Sequence, residues 1–138
     1  MAEETPDAEQ IKKIVEQVIE EQKKETGPNE DETTLQKCVV DCSNAKNVGI
    51  QTLRYCLEQG GKFADPENLN KIQDCNELCN IVCSFLLRKS VMTKEMLKIC
   101  QKACEDCSLF CQQFKEDKQL EACGKYANQA SESCKHLA

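Results

Sequence analysis

Four cysteines stand at four-, three- and four-residue intervals in ICQKACEDCSLFC: Cys100, Cys104, Cys107 and Cys111. On a helix turning about 100° per residue they project at about 0°, 40°, −20° and 20°, a single stripe about 60° wide. Such a stripe is a set of soft ligands, because thiolates select Cu(I), zinc and iron–sulfur clusters over hard cations. The spacing recurs in degenerate form as Cys38, Cys42, Ala45 and Gly49, extended in register by Thr52 and Cys56, and again as Cys123, Ala127, Ala130 and Cys134. Between these runs Cys75, Cys79 and Cys83 step by four, with Val82 and Leu86 completing the face. Where the first and last runs lack cysteine, the substitute is small. The 12 thiols of this 138-residue chain therefore gather on four lines.

Two other uses of cysteine compete with metal binding. Thiols pack well as small core residues, but packing alone gives no reason for them to fall on four stripes. A helical disulfide or redox protein built on paired CxxxC motifs joins two helices by a few bridges. Here runs of three and four cysteines within one helix leave too many thiols without a partner.

Among metals, geometry and charge favour Cu(I). Residues four apart on a helix have Cβ atoms roughly 5–6 Å apart, so two sulfurs can turn inward and hold one d10 ion in a nearly linear arrangement. Zinc takes a closed tetrahedron of about four ligands; facing pairs on two helices could supply it, so geometry alone admits zinc or mixed soft metals. One Cu(I) per thiolate leaves a buried lumen neutral. A four-thiolate zinc site carries two net negative charges, and several in one tube would repel each other in a low-dielectric interior. Iron–sulfur binding usually draws on CxxC in loops, whereas the lone CxxC, Cys104 to Cys107, lies within a helical stripe.

The elements that position these thiols are marked by their punctuation. An amphipathic helix is expected from Thr5 to Lys24, with Thr5 as N-cap, Pro6 in the first position and Ile11, Ile14, Val15, Val18 and Ile19 at helical spacing. Gly27-Pro28 breaks it, and a polar stretch from Asn29 to Thr34 follows. The first cysteine-bearing helix is expected from Thr33, in capping-box spacing with Gln36, to Glu58, ended by Gly60-Gly61. The second starts at Asp65-Pro66-Glu67 and runs to Arg88; the third runs from Met92 or Thr93 to Lys115; the fourth follows Glu116 to Lys118 and ends near His136. Nothing alternates with the period of a strand. The expected fold is all-α: an antiparallel up-down four-helix bundle with a cysteine-lined core, residues 33–138, preceded by an N-terminal helix and linker, residues 1–32.

Composition narrows the function. Leu, Ile, Val and Phe make up only 29 residues, close to the rough 20% floor of ordered chains, so sulfur must help to fill the core. Eighteen basic against 24 acidic residues give a net charge of −6, and the basic face of a nucleic-acid binder is not expected. The N-terminal residues lack the pattern of a secretory signal and the longest apolar run, Ile81 to Leu87, is too short to span a bilayer. A cytoplasmic chain with no membrane partner is expected, and reduced cytosolic thiols favour metal over disulfide. With a single histidine and no paired carboxylates, no catalytic set is recognised and no enzyme is expected.

The run from Lys37 to Leu137, with CVVDC, DCNELCNIVC, ICQKACEDCSLFC and ACGKYANQASESC, resembles the four-helix-bundle copper storage proteins. The resemblance covers about three quarters of the chain and implies a core of thiolate-bound Cu(I), a high load per chain, storage rather than catalysis, and a homotetramer. Members of the family often carry more cysteines in the first helix, where Ala45 and Gly49 stand here, so a lower capacity is expected.

Antiparallel connection also separates the two ends. Met92, Met96, His136, Cys38 and Cys134 should gather at one mouth, where a soft thioether could pass Cu(I) inward. Tyr55, Leu57, Phe63, Leu69, Phe114 and Leu120 should plug the other.

Overall fold

The computed structural model describes residues 7–26 and 30–138, with side chains described for 7–18 and 32–138. Five α-helices and one short 3-10 turn are formed, with no strand among the described residues. Helix α1 spans Ala8–Thr26, α2 Glu30–Gln59, α3 Pro66–Leu87, α4 Thr93–Gln112 and α5 Lys118–Leu137. The chain divides into two compact units, Met1–Gln36 and Lys37–Ala138.

Thr5, Pro6 and the Gly27-Pro28 break lie outside the described residues. In their vicinity a different cap is observed: the Gln10 N–H donates to Asp7 Oδ1 at 2.8 Å while the Asp7 N–H donates to Gln10 Oε1 at 3.1 Å. This is a reciprocal capping box. The start of α2 differs from expectation, because Thr33 is not a cap; the helix already runs from Glu30. No proline or glycine interrupts residues 30 to 32, so the helix can begin before Thr33.

The remaining boundaries follow local chemistry. Gly60 and Gly61 both take positive φ, 69° and 57°, a conformation open to glycine after a helix. The 3-10 turn Gly61–Ala64 fills the connection between α2 and α3. Asp65 then caps α3 by accepting from the Glu67 N–H at 3.2 Å, with Pro66 in the first turn. At its far end Lys89 takes φ 55°, and the Ser90 N–H reaches back to the Phe85 carbonyl at 3.0 Å. Helix α4 stops at Gln112, short of the expected Lys115. Its last bonds tighten to three-residue closures, Gln113 N–H to Phe110 O and Phe114 N–H to Cys111 O. Asp117 caps α5 through the Leu120 N–H at 3.0 Å.

Within Lys37–Ala138 the four long helices form an antiparallel bundle. Contacts join the start of α2 to the end of α5 (Cys38 to Cys134) and the end of α2 to the start of α5 (Tyr55 to Asp117). Cys75 meets Cys104 and Cys79 meets Cys100, which sets α3 against α4 in the opposite sense. Ser131 Oγ donates to the Gln101 carbonyl, and Gly124 lies where an added Cβ would sit 3.0 Å from Cys111 Cβ, so α4 and α5 approach closely. The buried core is sulfur interleaved with Ile72, Val82, Leu86, Leu97, Phe110 and Leu120.

Candidate metal centre

The four stripes face inward together. Eleven of the twelve cysteines are buried, all twelve are free thiols, and the small substitutes Ala45, Gly49, Ala127 and Ala130 are buried beside them. Gly49 has a particular role: an added Cβ would meet Asn76 Oδ1 at 1.8 Å. The buried Asn76 carboxamide lies against the α2 backbone where a side chain is missing. Sequence reasoning passed over Asn76; its only signal was its place beside Cys75.

The sulfurs converge in threes. Cys38, Cys42 and Cys134 form one group with all three sulfurs within 4.8 Å; Cys42, Cys79 and Cys100 form a second; Cys75, Cys79 and Cys104 a third; Cys107, Cys111 and Cys123 a fourth. Cys42 and Cys79 each belong to two groups, so the first three are strung together. Individual separations are short: Cys75 to Cys104 is 3.5 Å, Cys79 to Cys104 3.6 Å, and Cys42 to Cys134 3.8 Å. Two candidate ligands stand outside these groups. Cys56 is fully buried near Cys123, and Cys83 is half-buried between α2 and α3.

The proton affinities follow this grouping. Hydrogen bonds from Cys134 and Cys42 lower the Cys38 thiol to about 5, and those from Cys107 and Cys111 lower Cys123 to about 4. Cys100 and Cys75 are lowered in the same way, each chiefly by Cys104. The other members, Cys42, Cys79, Cys104, Cys107, Cys111 and Cys134, are raised by thiol neighbours and by burial. Within each group S–H neighbours favour ionisation of one thiol, while burial and like charge oppose a second. Cys56 has no such S–H donor; burial, then the Cys123 and Asp117 charges, push it up to about 11. A soft monovalent cation is what would let further thiols in each group ionise.

The two ends are built from different side chains, and the expected apolar plug takes two corrections. Phe63 stacks on Phe114 with centroids 4.6 Å apart, Tyr55 meets Phe63 edge-on at 6.1 Å, and Leu120 is fully buried. Leu57 is 58% exposed and takes no part in a plug, because it follows the inward Cys56 by about 100°. Phe110, missed by the sequence reading, is buried and packs edge-on against Phe114 at 5.4 Å. Leu69 is half-buried. At the other end Met92 and His136 are exposed and Met96 is half-buried.

A helix bundle whose interior is a string of three-thiol groups belongs to the class of soft-metal stores. Comparison with known proteins carries this further. The family described as "Copper storage protein" matches residues 2–138. A solved protein of Nitrosospira multiformis is 26% identical, with a TM-score of 0.72 over 77% of this chain and 95% of its own. A solved structure described as a Cu(I)-bound copper storage protein, BsCsp3, is 22% identical, with a TM-score of 0.70 over 76% of this chain and 98% of its own. No curated protein matches. The chain belongs to the copper storage protein family.

Proposed function

We propose that this chain stores or sequesters copper as multiple Cu(I) ions held between core thiolates, without catalysing a reaction. The observation that carries this reading is the set of four three-sulfur groups in one bundle interior, three of them sharing sulfurs. Groups of three, closely joined, suit two- and three-coordinate Cu(I) better than the closed four-ligand tetrahedron of zinc. The Cu(I)-bound state of BsCsp3, a structure of the same fold, supports the same cargo. Charge supports it too, since one Cu(I) per thiolate keeps the lumen neutral.

The finer points of the proposal rest on the family and on the surface. No described helix is long and apolar enough to cross a membrane, and the acidic net charge of −6 speaks against nucleic acid. A cytoplasmic setting, which keeps thiols reduced, and a homotetramer complete the reading. Copper enters at the end holding Cys38 and Cys134, near Met92, Met96 and His136, because the opposite end is closed by Phe63, Phe110 and Phe114.

Anaerobic Cu(I) titration of the reduced chain against a competing chelator tests the function. The expected load is about ten to twelve tightly held ions, near one per thiolate, with protons released as the raised thiols ionise. Saturation at one or two ions would instead indicate a copper chaperone or regulator.

A further inference from the structure

The three-sulfur group at the Cys38 end has a polar counterpart on its outside. Lys37, Asp41 and Ser133 immediately precede Cys38, Cys42 and Cys134, the three members of that group. A residue one position before an inward cysteine is turned from it by about 100°, and on the antiparallel pair α2 and α5 this turn brings all three to the shared seam. The Ser133 hydroxyl donates to Asp41 Oδ2, Lys37 Nζ donates to the same oxygen at 2.7 Å, and Lys37 Nζ also lies 3.4 Å from Ser133 Oγ. Asp41 and Ser133 are both buried. A buried carboxylate is costly unless it is hydrogen-bonded, so Asp41 keeps its donors close and, with them, the two helices.

Behind this clasp the sulfurs form a nearly regular triangle: Cys38 to Cys42 is 4.0 Å, Cys38 to Cys134 3.9 Å and Cys42 to Cys134 3.8 Å. With the zinc–thiolate bond of about 2.3 Å as a guide for a d10 ion, three sulfurs in a trigonal plane stand about 4.0 Å apart. The triangle is therefore already set for three-coordinate binding. Two of its corners lie within α2, but Cys134 stands in the last turn of α5, which ends at Leu137. The last turn of a helix has carbonyls without intrahelical partners and opens most readily. The tie one residue before Cys134 is what fixes that corner.

We propose that Asp41 and Ser133 are positioning residues for copper: they clamp α5 onto α2 so that Cys38, Cys42 and Cys134 stand ready as a three-coordinate Cu(I) site, where the first ion to enter is captured. The inference rests on the storage reading and on entry at the sulfur end. Neither positioning residue touches the ion. Their effect is to spare the incoming ion the ordering of its ligands, since a preorganised site binds more tightly than one that must be assembled. Each copper–sulfur bond that replaces a thiol S–H releases its proton to solvent, and copper stays Cu(I). Later ions reach the deeper groups by way of Cys42, which the first and second groups share.

The experiment is anaerobic Cu(I) titration of the full reduced chain against a competing chelator, with Asp41→Ala, Ser133→Ala, Asp41→Asn and Arg54→Ala compared. Asp41→Ala and Ser133→Ala should each hold the first ion at least tenfold more weakly while keeping the final load within one ion of the parent. Asp41→Asn keeps an oxygen for the Ser133 hydroxyl and should recover most of what Asp41→Ala loses. Arg54→Ala deletes another ion pair of α2, the exposed contact of Arg54 with Glu58 at 2.9 Å, and should stay within twofold of the parent. It separates the seam from the general stability of the helix. First-ion affinity within twofold of the parent in both alanine variants of the clasp, equal weakening by Arg54→Ala, or an Asp41→Asn as weak as Asp41→Ala would overturn the proposal. Copper X-ray absorption at one Cu(I) per chain supplies a readout that lost stability alone does not move: three sulfur neighbours are expected in the parent and two in Ser133→Ala, and the same number in both would count against the clasp. Amide NMR of the unaltered chain at that loading guards against misfolded variants. Shifts should centre on Cys38, Cys42 and Cys134; shifts centred on Cys107, Cys111 and Cys123 would refute the capture site. The final load of the unaltered chain reports on storage separately, so saturation at one or two ions with the first still held by Cys38, Cys42 and Cys134 would remove the storage reading and leave the site standing.

Discussion

The two ends of the bundle are closed by different chemistry. At the Cys38 end α2 meets α5 through sulfur, with the Lys37–Asp41–Ser133 tie outside it. At the other end the same helices meet through Tyr55 and Asp117, and Phe63, Phe110 and Phe114 close the interior. Sulfur can exchange partners with a passing soft ion, whereas stacked aromatic rings can only exclude it. On the proposed storage role, the sulfur end is the one suited to traffic, while the aromatic end helps to hold the fold together. The Thr52 hydroxyl shows the transition between them: it donates to the Val48 carbonyl at 2.7 Å and accepts from Gln119 at 3.0 Å, just before the aromatic layer begins.

The largest effect should come from breaking the aromatic end. Phe110 is 1% exposed and sits between Cys107 and Cys111 on the same helix. Phe110→Ala should destabilise the metal-free chain by about 3–5 kcal/mol, from lost burial and the cavity left behind. Urea unfolding measures this. A loss under about 1 kcal/mol would mean that the aromatic layer does not anchor the bundle. Copper bound at the sulfur end should recover part of the loss by linkage.

The next effect is a pH dependence that distinguishes an isolated thiol from grouped ones. Cys56 ionises at about 11 in the fold against an ordinary value of 9.0. Between those values an unfolded chain has lost the proton that the folded chain keeps, so the unfolded state binds fewer protons and stability falls as pH rises. The contribution is present in full below pH 9 and lost as pH passes through about 11; a separation of that size is worth about 3 kcal/mol. Unfolding of the metal-free chain across this range should therefore be less steeply pH-dependent in Cys56→Ala by about that amount. Equal pH dependence in the variant and the parent would show that Cys56 is not held in its neutral form.

Much of this contrast was legible in the sequence, and the exceptions have geometric causes. Asp65-Pro66 announced the start of α3 because both residues act locally. The four-three-four spacing of Cys100, Cys104, Cys107 and Cys111 announced a narrow stripe, since that alternation keeps pace with the helix. Cys75, Cys79 and Cys83 do not keep pace: two steps of four drift by about 80°, which carries the third thiol off the inward line while Val82 takes its place. Cys83 therefore stands at a seam, and its distinct position could have been read from the same arithmetic. The three-sulfur groups were less accessible, because they draw on two or three helices and depend on the depth at which each helix packs. Asn76 filling the space over Gly49 belongs to the same kind of relation.

The smallest effect concerns Asp117, which serves two elements at the aromatic end. Its carboxylate accepts from the Leu120 N–H at the start of α5 and from the Tyr55 hydroxyl on α2. Burial raises its proton affinity, but the hydrogen bonds from Tyr55 and from the Leu120 and Gln119 backbone outweigh it, and the group stays below the ordinary carboxylate range. Asp117→Ala removes cap and tie together and should lower stability by about 1 kcal/mol, the usual size of a lost N-cap. Asp117→Asn keeps an oxygen for the cap, and asparagine caps about as well as aspartate, so it should lie within about 0.5 kcal/mol of the parent. Thermal unfolding of the two variants separates the contributions. If Asn were as damaging as Ala, the charge on Asp117, rather than the capping geometry, would be what joins α2 to α5 at this end.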